Sequence, residues 1–222
     1  MFKELIANTG VDTLCITLPR LTVGRTYSTE DMYREECVVN IRNLVVDHFN
    51  TVGIAQILAI RSTCLETLSI RGDVTHSGIF DFVLYKFLKA HSSTVKKITL
   101  NVTQSTPEGW LPTLDERTAY PVLTDFHAVV RLVTRNGCTT SMFNDVIWAF
   151  NGRLILMLCN LLKDRVFENV YISENILIAL YDKNYRCRVT GRLVIKRVLT
   201  ADLSYFYIVM DVFGRSVFTL LD

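Results

Sequence analysis

One short spacing of apolar residues, apolar-x-x-apolar-x-apolar, occurs seven times along the chain. Val11-x-x-Leu14-x-Ile16 is followed by Ile41-x-x-Leu44-x-Val46, Leu65-x-x-Leu68-x-Ile70 and Val95-x-x-Ile98-x-Leu100. Leu123-x-x-Phe126-x-Ala128, Phe167-x-x-Val170-x-Ile172 and Leu203-x-x-Phe206-x-Ile208 complete the series. Between the middle residues of successive motifs the intervals are 30, 24, 30, 28, 44 and 36 residues. A strand, a helix and their turns fill the shorter intervals, while the last two require insertions or an additional unit.

In a strand the side chains alternate between faces, so the residues between these apolar positions must point the other way. They are mostly polar: Thr67, Ser69 and Arg71 in one motif, Lys97, Thr99 and Asn101 in the next, then Asp125, His127 and Val129, then Asn169, Tyr171 and Ser173. One apolar face and one polar face argue against a doubly wound sheet, whose strands are apolar on both sides.

The connecting segments read largely as helices. Ser28-Thr29-Glu30-Asp31 has the form of a capping box opening a helix over 28–37. Apolar spacing predicts further helices over 53–62 and 78–91, the latter with Phe82, Tyr85 and Leu88 inward and Asp81, Lys86 and Lys89 outward. Helices over 141–150 and 153–163 are separated by Asn151-Gly152, and another covers 174–185. Residues 103–121, with Pro107, Gly109, Pro112 and Pro121 around Trp110, predict an irregular loop.

These spacings resemble leucine-rich repeats over most of the chain. The best single match is Phe167-Glu168-Asn169-Val170-Tyr171-Ile172-Ser173-Glu174-Asn175, in the order L-x-x-L-x-L-x-x-N. The resemblance implies that Asn175 hydrogen-bonds backbone groups in the turn after its strand. The other motifs carry Pro19, Phe49, Asp73, Thr103, Arg131 and Asp211 at that place. The expected fold is therefore an α/β leucine-rich-repeat-like solenoid, one irregular unit over 1–222, with parallel strands on the concave face and helices on the convex face. Long irregular repeats with outer helices look most like the repeat region of F-box proteins, the substrate-recruiting subunits of ubiquitin ligases. No F-box is present in the sequence, and residues 1–10 read as the tail of a helix leading straight into the first strand. A fragment, a truncated gene product or a degenerate family member is expected, and the resemblance implies a link to a ligase scaffold through a missing N-terminal region.

Composition narrows the chemistry. At 222 residues and 50% hydrophobic, the chain can bury a large core without a metal or disulfide staple. The net charge of +2 does not by itself point to nucleic acid or an anionic membrane. No apolar run reaches the roughly 20 residues of a membrane span. Cys15, Cys37, Cys64, Cys138, Cys159 and Cys187 lie far apart and form no zinc-type spacing, so reduced thiols in a cytoplasmic or nuclear protein are expected. Phosphate-loop, dinucleotide, zinc-protease and nucleophile-elbow motifs are missing from the sequence.

The expected activity is non-enzymatic protein binding, without a cofactor. A curved strand face offers an extended binding surface. Its candidate residues are Asp47, Arg71, Lys97, Asn101, Asp125 and His127, joined towards the C-terminus by Tyr171, Tyr205 and Tyr207. On neighbouring strands, Asp47 would meet Arg71 and Lys97 would meet Asp125. Two other arrangements are weighed against this. His127 and Asp125 near Cys15 or Cys159 would form a nucleophile, base and orienter of a small hydrolase or transferase. Lys183, Arg186, Arg188, Arg192, Lys196 and Arg197 would form a basic hairpin able to contact phosphates; the barely basic chain weighs against nucleic acid.

Overall fold

Residues alternating between an apolar and a polar side pair as parallel strands in the computed structural model. It describes residues 11–17, 37–49, 57–58, 60–74, 77–105, 119–133, 153–198 and 209–221. The elements are β1 (Thr13–Thr17), β2 (Cys37–Val39), β3 (Asn43–Phe49), β4 (Ile60–Ser62), β5 (Thr67–Val74), α1 (Ser77–Ala90), β6 (Lys97–Ser105) and β7 (Asp125–Val133). They continue with α2 (Arg153–Leu162), β8 (Arg165–Ser173), α3 (Glu174–Asp182), β9 (Cys187–Lys196), a π-helical turn (Val209–Gly214), α4 (Arg215–Val217) and β10 (Phe218–Leu220). The fold is mixed α/β, with a parallel eight-stranded sheet in the order β1-β3-β5-β6-β7-β8-β9-β10. The short β2 and β4 form a separate parallel pair.

Register follows the apolar motif. Leu14, Leu44, Leu68, Ile98, Phe126, Val170 and Leu193 stand opposite one another across the sheet. Ile16, Val46, Ile70, Leu100, Ala128, Ile172 and Ile195 do the same two residues later. From β3 to β8 every member of both rows is at most 1% exposed. Burying each larger aliphatic or aromatic side chain contributes about 1.5–3 kcal/mol, so the stacked rows are the main support of the fold. Phe80, Leu84 and Leu88 of α1, Leu154 and Leu158 of α2, and Ile176 and Leu180 of α3 belong to the same core.

A repeated backbone contact holds the register. The carbonyl of Asp12 accepts both Arg42 and Asn43 amides, and that of Arg42 accepts Glu66 and Thr67. Glu66 does the same for Lys96 and Lys97, Lys96 for Thr124 and Asp125, and Thr124 for Glu168 and Asn169, all at 2.7–3.3 Å.

Several expectations are corrected. Helix α1 buries Phe80, Val83, Leu84, Phe87 and Leu88, whereas Phe82 and Tyr85 stay partly exposed and Asp81 is buried. Its apolar residues nearly encircle the helix, so spacing alone did not select the inward stripe. The helix expected over 53–62 gives way at its end to strand β4. The basic hairpin is replaced by β9, which is parallel to both β8 and β10; a hairpin would be antiparallel. Against Phe167 to Val170 on β8, β9 spends one residue more, from Val189 to Leu193, and the register shifts there. Gly191 lies in this bulge, where a Cβ would come within 2.6 Å of the Glu168 carbonyl oxygen. Cys37, the last residue of the helix expected over 28–37, begins β2, and residues 103–105 of the expected loop continue β6; the rest of that helix, the helix expected over 141–150, residues 106–118 of the loop and the Leu203 motif lie outside the described residues.

Candidate binding face

Side chains opposite the buried rows form three polar rows. Thr13, Asn43, Thr67, Lys97, Asp125, Asn169 and Arg192 are registered partners in the first. Cys15, Val45, Ser69, Thr99, His127, Tyr171 and Val194 make the second. The third contains Thr17, Asp47, Arg71, Asn101 and Val129, with Ser173 opposite Lys196. Parallel pairing in chain order thus brings Asp47, Arg71, Lys97, Asn101, Asp125, His127 and Tyr171 onto one face. Tyr205 and Tyr207 lie outside the described residues.

The centre of the face is aromatic. The rings of His127 and Tyr171 lie 4.1 Å apart and tilted by 40°. Burial pushes the His127 pKa below its ordinary value, and the positive charges of Lys196 and Lys97 push the same way. Among the described residues, neither the His127 ring nor the Tyr171 hydroxyl has a hydrogen-bond partner.

The two cross-strand pairs differ from a simple ion-pair picture. Lys97 and Asp125 are registered partners, yet the Asp125 carboxylate accepts from Thr124 Oγ1 at 2.9 Å and Asn169 Nδ2 at 2.9 Å. Asn101 Oδ1 accepts from Arg131 Nη1 at 2.8 Å. Asp47 and Arg71 are likewise opposite one another. Cross-strand ion pairs lie one residue before the first row, where Lys96 meets Glu66 at 3.2 Å and Arg42 meets Asp12 at 3.8 Å. These exposed pairs add little stability. Their alternating signs were readable in the residues preceding each strand.

The outward row closes at its far end. Val129 is 1% exposed and Ser173 is fully buried, although alternation placed both on the open side. The strand is ending at Ser173: its Oγ accepts the Val130 amide at 3.2 Å and donates to Asn175 Oδ1. Asn175, also fully buried, donates from Nδ2 to the Val130 carbonyl at 3.0 Å and accepts the Ile176 amide at 3.0 Å. It therefore bonds one backbone group just after its own strand and one on the neighbouring strand β7, as the resemblance implied for an Asn at this place.

A second polar assembly is buried behind β4. His91 Nε2 accepts the Ser62 amide at 3.0 Å, and Nδ1 lies 2.8 Å from the Phe87 carbonyl. The carbonyl only accepts, so Nδ1 carries the proton and the ring is neutral. Ser62 Oγ in turn donates to the Ile41 carbonyl at 2.7 Å and accepts the Ile41 and Cys64 amides, both at 3.3 Å. Burial, more than the nearby Arg61 charge, lowers the His91 pKa. Nothing local in the sequence marks this corner, because its parts are brought together only by tertiary packing.

The imagined nucleophilic set is not assembled. Cys15 and His127 share a row but are separated by four strand spacings, about 19 Å. Cys159 is buried in α2, its Sγ turned to the Ile176 carbonyl, and burial raises its pKa. The Cys187 thiol is likewise pushed up to about 12 by burial. Cys15, Cys64, Cys159 and Cys187 are free thiols. Among the described residues no group of His, Cys, Asp and Glu is arranged to hold a metal ion, and no helix is long and apolar enough to cross a membrane. An open cleft of about 610 Å³ lies between α3 and the C-terminal segment, where Tyr181 stacks on Phe213 at 4.2 Å. No family model, curated protein or solved structure matches the chain.

Proposed function

We propose that the chain is a leucine-rich-repeat-like solenoid that binds a protein partner across the open face of its sheet. The observation that carries this reading is the register. Chain-order parallel pairing aligns seven strands' outward residues into continuous rows, with the His127–Tyr171 pair in the middle row. A surface of this kind is wide, preformed and supported from behind by packed apolar rows, which limits the ordering cost of binding. Tyr is also enriched among residues that dominate interface energetics. By its resemblance to the repeat region of F-box proteins, the proposed role extends to substrate recognition for a ubiquitin ligase in the cytoplasm or nucleus.

The test is affinity capture with the chain as bait, comparing wild type with the triple variant Arg71→Ala, Lys97→Ala, Tyr171→Ala. Loss of the captured partner with a melting temperature within about 3 °C of wild type is the expected result, since surface substitutions change stability little. Undiminished capture by the triple variant overturns the assignment of the face.

A further inference from the structure

The open face is not electrically uniform. On β3 and β5 its charged residues are Asp47, Arg71 and Asp73, two carboxylates and one cation. Across β6 to β9 they include Lys97, Arg131, Arg192 and Lys196 against Asp125. Both oxygens of Asp125 are held by neutral donors, Thr124 and Asn169. Arg131 is committed to Asn101. Lys97, Arg192 and Lys196 have no ion pair among the described residues.

The three free cations surround the aromatic pair. Lys97 and Arg192 occupy the first row, three strand spacings or about 14 Å apart. Lys196 follows Arg192 by four residues of β9, about 13 Å along the strand. His127 and Tyr171 lie in the row between. Carboxylates four residues apart in an extended peptide span the same distance.

We propose that the β6–β9 part of this face is a site for a short acidic peptide segment, whose carboxylates meet Lys97, Arg192 and Lys196 while its backbone crosses the His127–Tyr171 pair. This rests on the reading of the face as the binding surface, and adds the chemistry of what is bound. A short segment fits better than a long polyanion. Nucleic acid or an anionic membrane gains affinity from many phosphate contacts, and continuing across the sheet it would meet Asp47 and Asp73. The bulge at Gly191 is what brings Arg192 into the first row, because without the extra residue the alternation of β9 would be inverted there.

The experiment uses a fluorescently labelled 12-residue peptide of alternating Glu and Ser, a Lys-Ser counterpart, a single-stranded oligonucleotide and anionic lipid vesicles. Binding is followed by anisotropy or cosedimentation at two salt concentrations. The acidic peptide should bind preferentially, more weakly at high salt, and the Arg192→Glu, Lys196→Glu variant should lose at least about tenfold in affinity. Arg186→Glu, which lies before β9 and outside the three rows, should change it less than twofold. Equal binding of the two peptides, or an undiminished affinity in the double variant, overturns the proposal. So does tighter binding of oligonucleotide or vesicles that is lost in the same variant. Applied to partner capture, the variants separate the two readings. Capture lost in the Arg71, Lys97, Tyr171 triple variant but retained in Arg192→Glu, Lys196→Glu leaves the face standing and refutes the acidic chemistry; capture retained in both refutes the face.

Discussion

His91 and His127 both have pKa values lowered chiefly by burial, yet their surroundings are opposite. His91 is 2% exposed, with one ring nitrogen bound to Ser62 and the other to Phe87. His127 stands in an open row against Tyr171, with Lys97 and Lys196 near and without a hydrogen bond among the described residues. A shifted pKa alone would have treated them alike. Hydrogen-bond accounting separates them: the first is saturated by its own chain, while the second keeps its polar capacity for something else.

The hardest test of this contrast is to remove the saturated group. His91→Ala deletes the ring against Phe87, 4.3 Å away between centroids, and leaves the Ser62 amide without its partner, while the Phe87 carbonyl keeps the backbone amide of residue 91. A cavity together with one unsatisfied buried amide should cost about 3 kcal/mol, measured by urea denaturation. Binding through the open face should survive wherever the variant remains folded. A loss below about 1 kcal/mol would show that the corner is not the anchor its contacts indicate.

Acid should pull the two histidines in different directions. The folded-state pKa of His91 lies below the unfolded value near 6.5, so in that window the unfolded chain binds more protons. The contribution is fully present above pH 6.5 and is lost as pH falls towards the folded pKa. His91→Asn should flatten that dependence. His127 faces Lys97 on β6, Asp125 on its own strand, Tyr171 on β8 and Lys196 on β9. Protonation there adds a fourth cation beside the three proposed to hold carboxylates, so affinity for the acidic peptide should rise as pH falls. Stability and affinity that fall together on acidification would remove the distinction.

How much of this was legible depended on the range over which each feature is encoded. The strands β1, β3, β5, β6, β7 and β8 were readable because each is apolar on one side only, and Leu65, Leu68 and Ile70 mark that side within six residues. Strand β9 escaped because its bulge converts the three-residue step into four, so Val189, Leu193 and Ile195 no longer match the motif. The same bulge hid the fact that Arg192 and Lys196 join the polar rows. Alternation identified most of the face, but it could not report that Val129 and Ser173 are covered. Asn175 was legible because it stands at the end of a recognisable motif, even though one of its partners, the Val130 carbonyl, lies 45 residues away on the neighbouring strand. The His91 corner was not, since no motif marks Ser62, 29 residues from His91, or Ile41, 21 residues from Ser62, and packing alone brings them together.

The smallest change gives the sharpest comparison. Tyr171→Phe removes a single oxygen from a partly exposed residue whose hydroxyl has no partner among the described residues, and it leaves the ring against His127 in place. No buried donor or acceptor is left unsatisfied, so folding stability should move by less than about 0.5 kcal/mol. If the hydroxyl is kept for a bound peptide, affinity should fall about threefold to tenfold, the worth of one hydrogen bond made only in the complex. Unchanged affinity would assign Tyr171 to the face as an apolar surface alone. A stability loss above 1 kcal/mol would instead mean that its hydroxyl, like His91, is already spent on the fold.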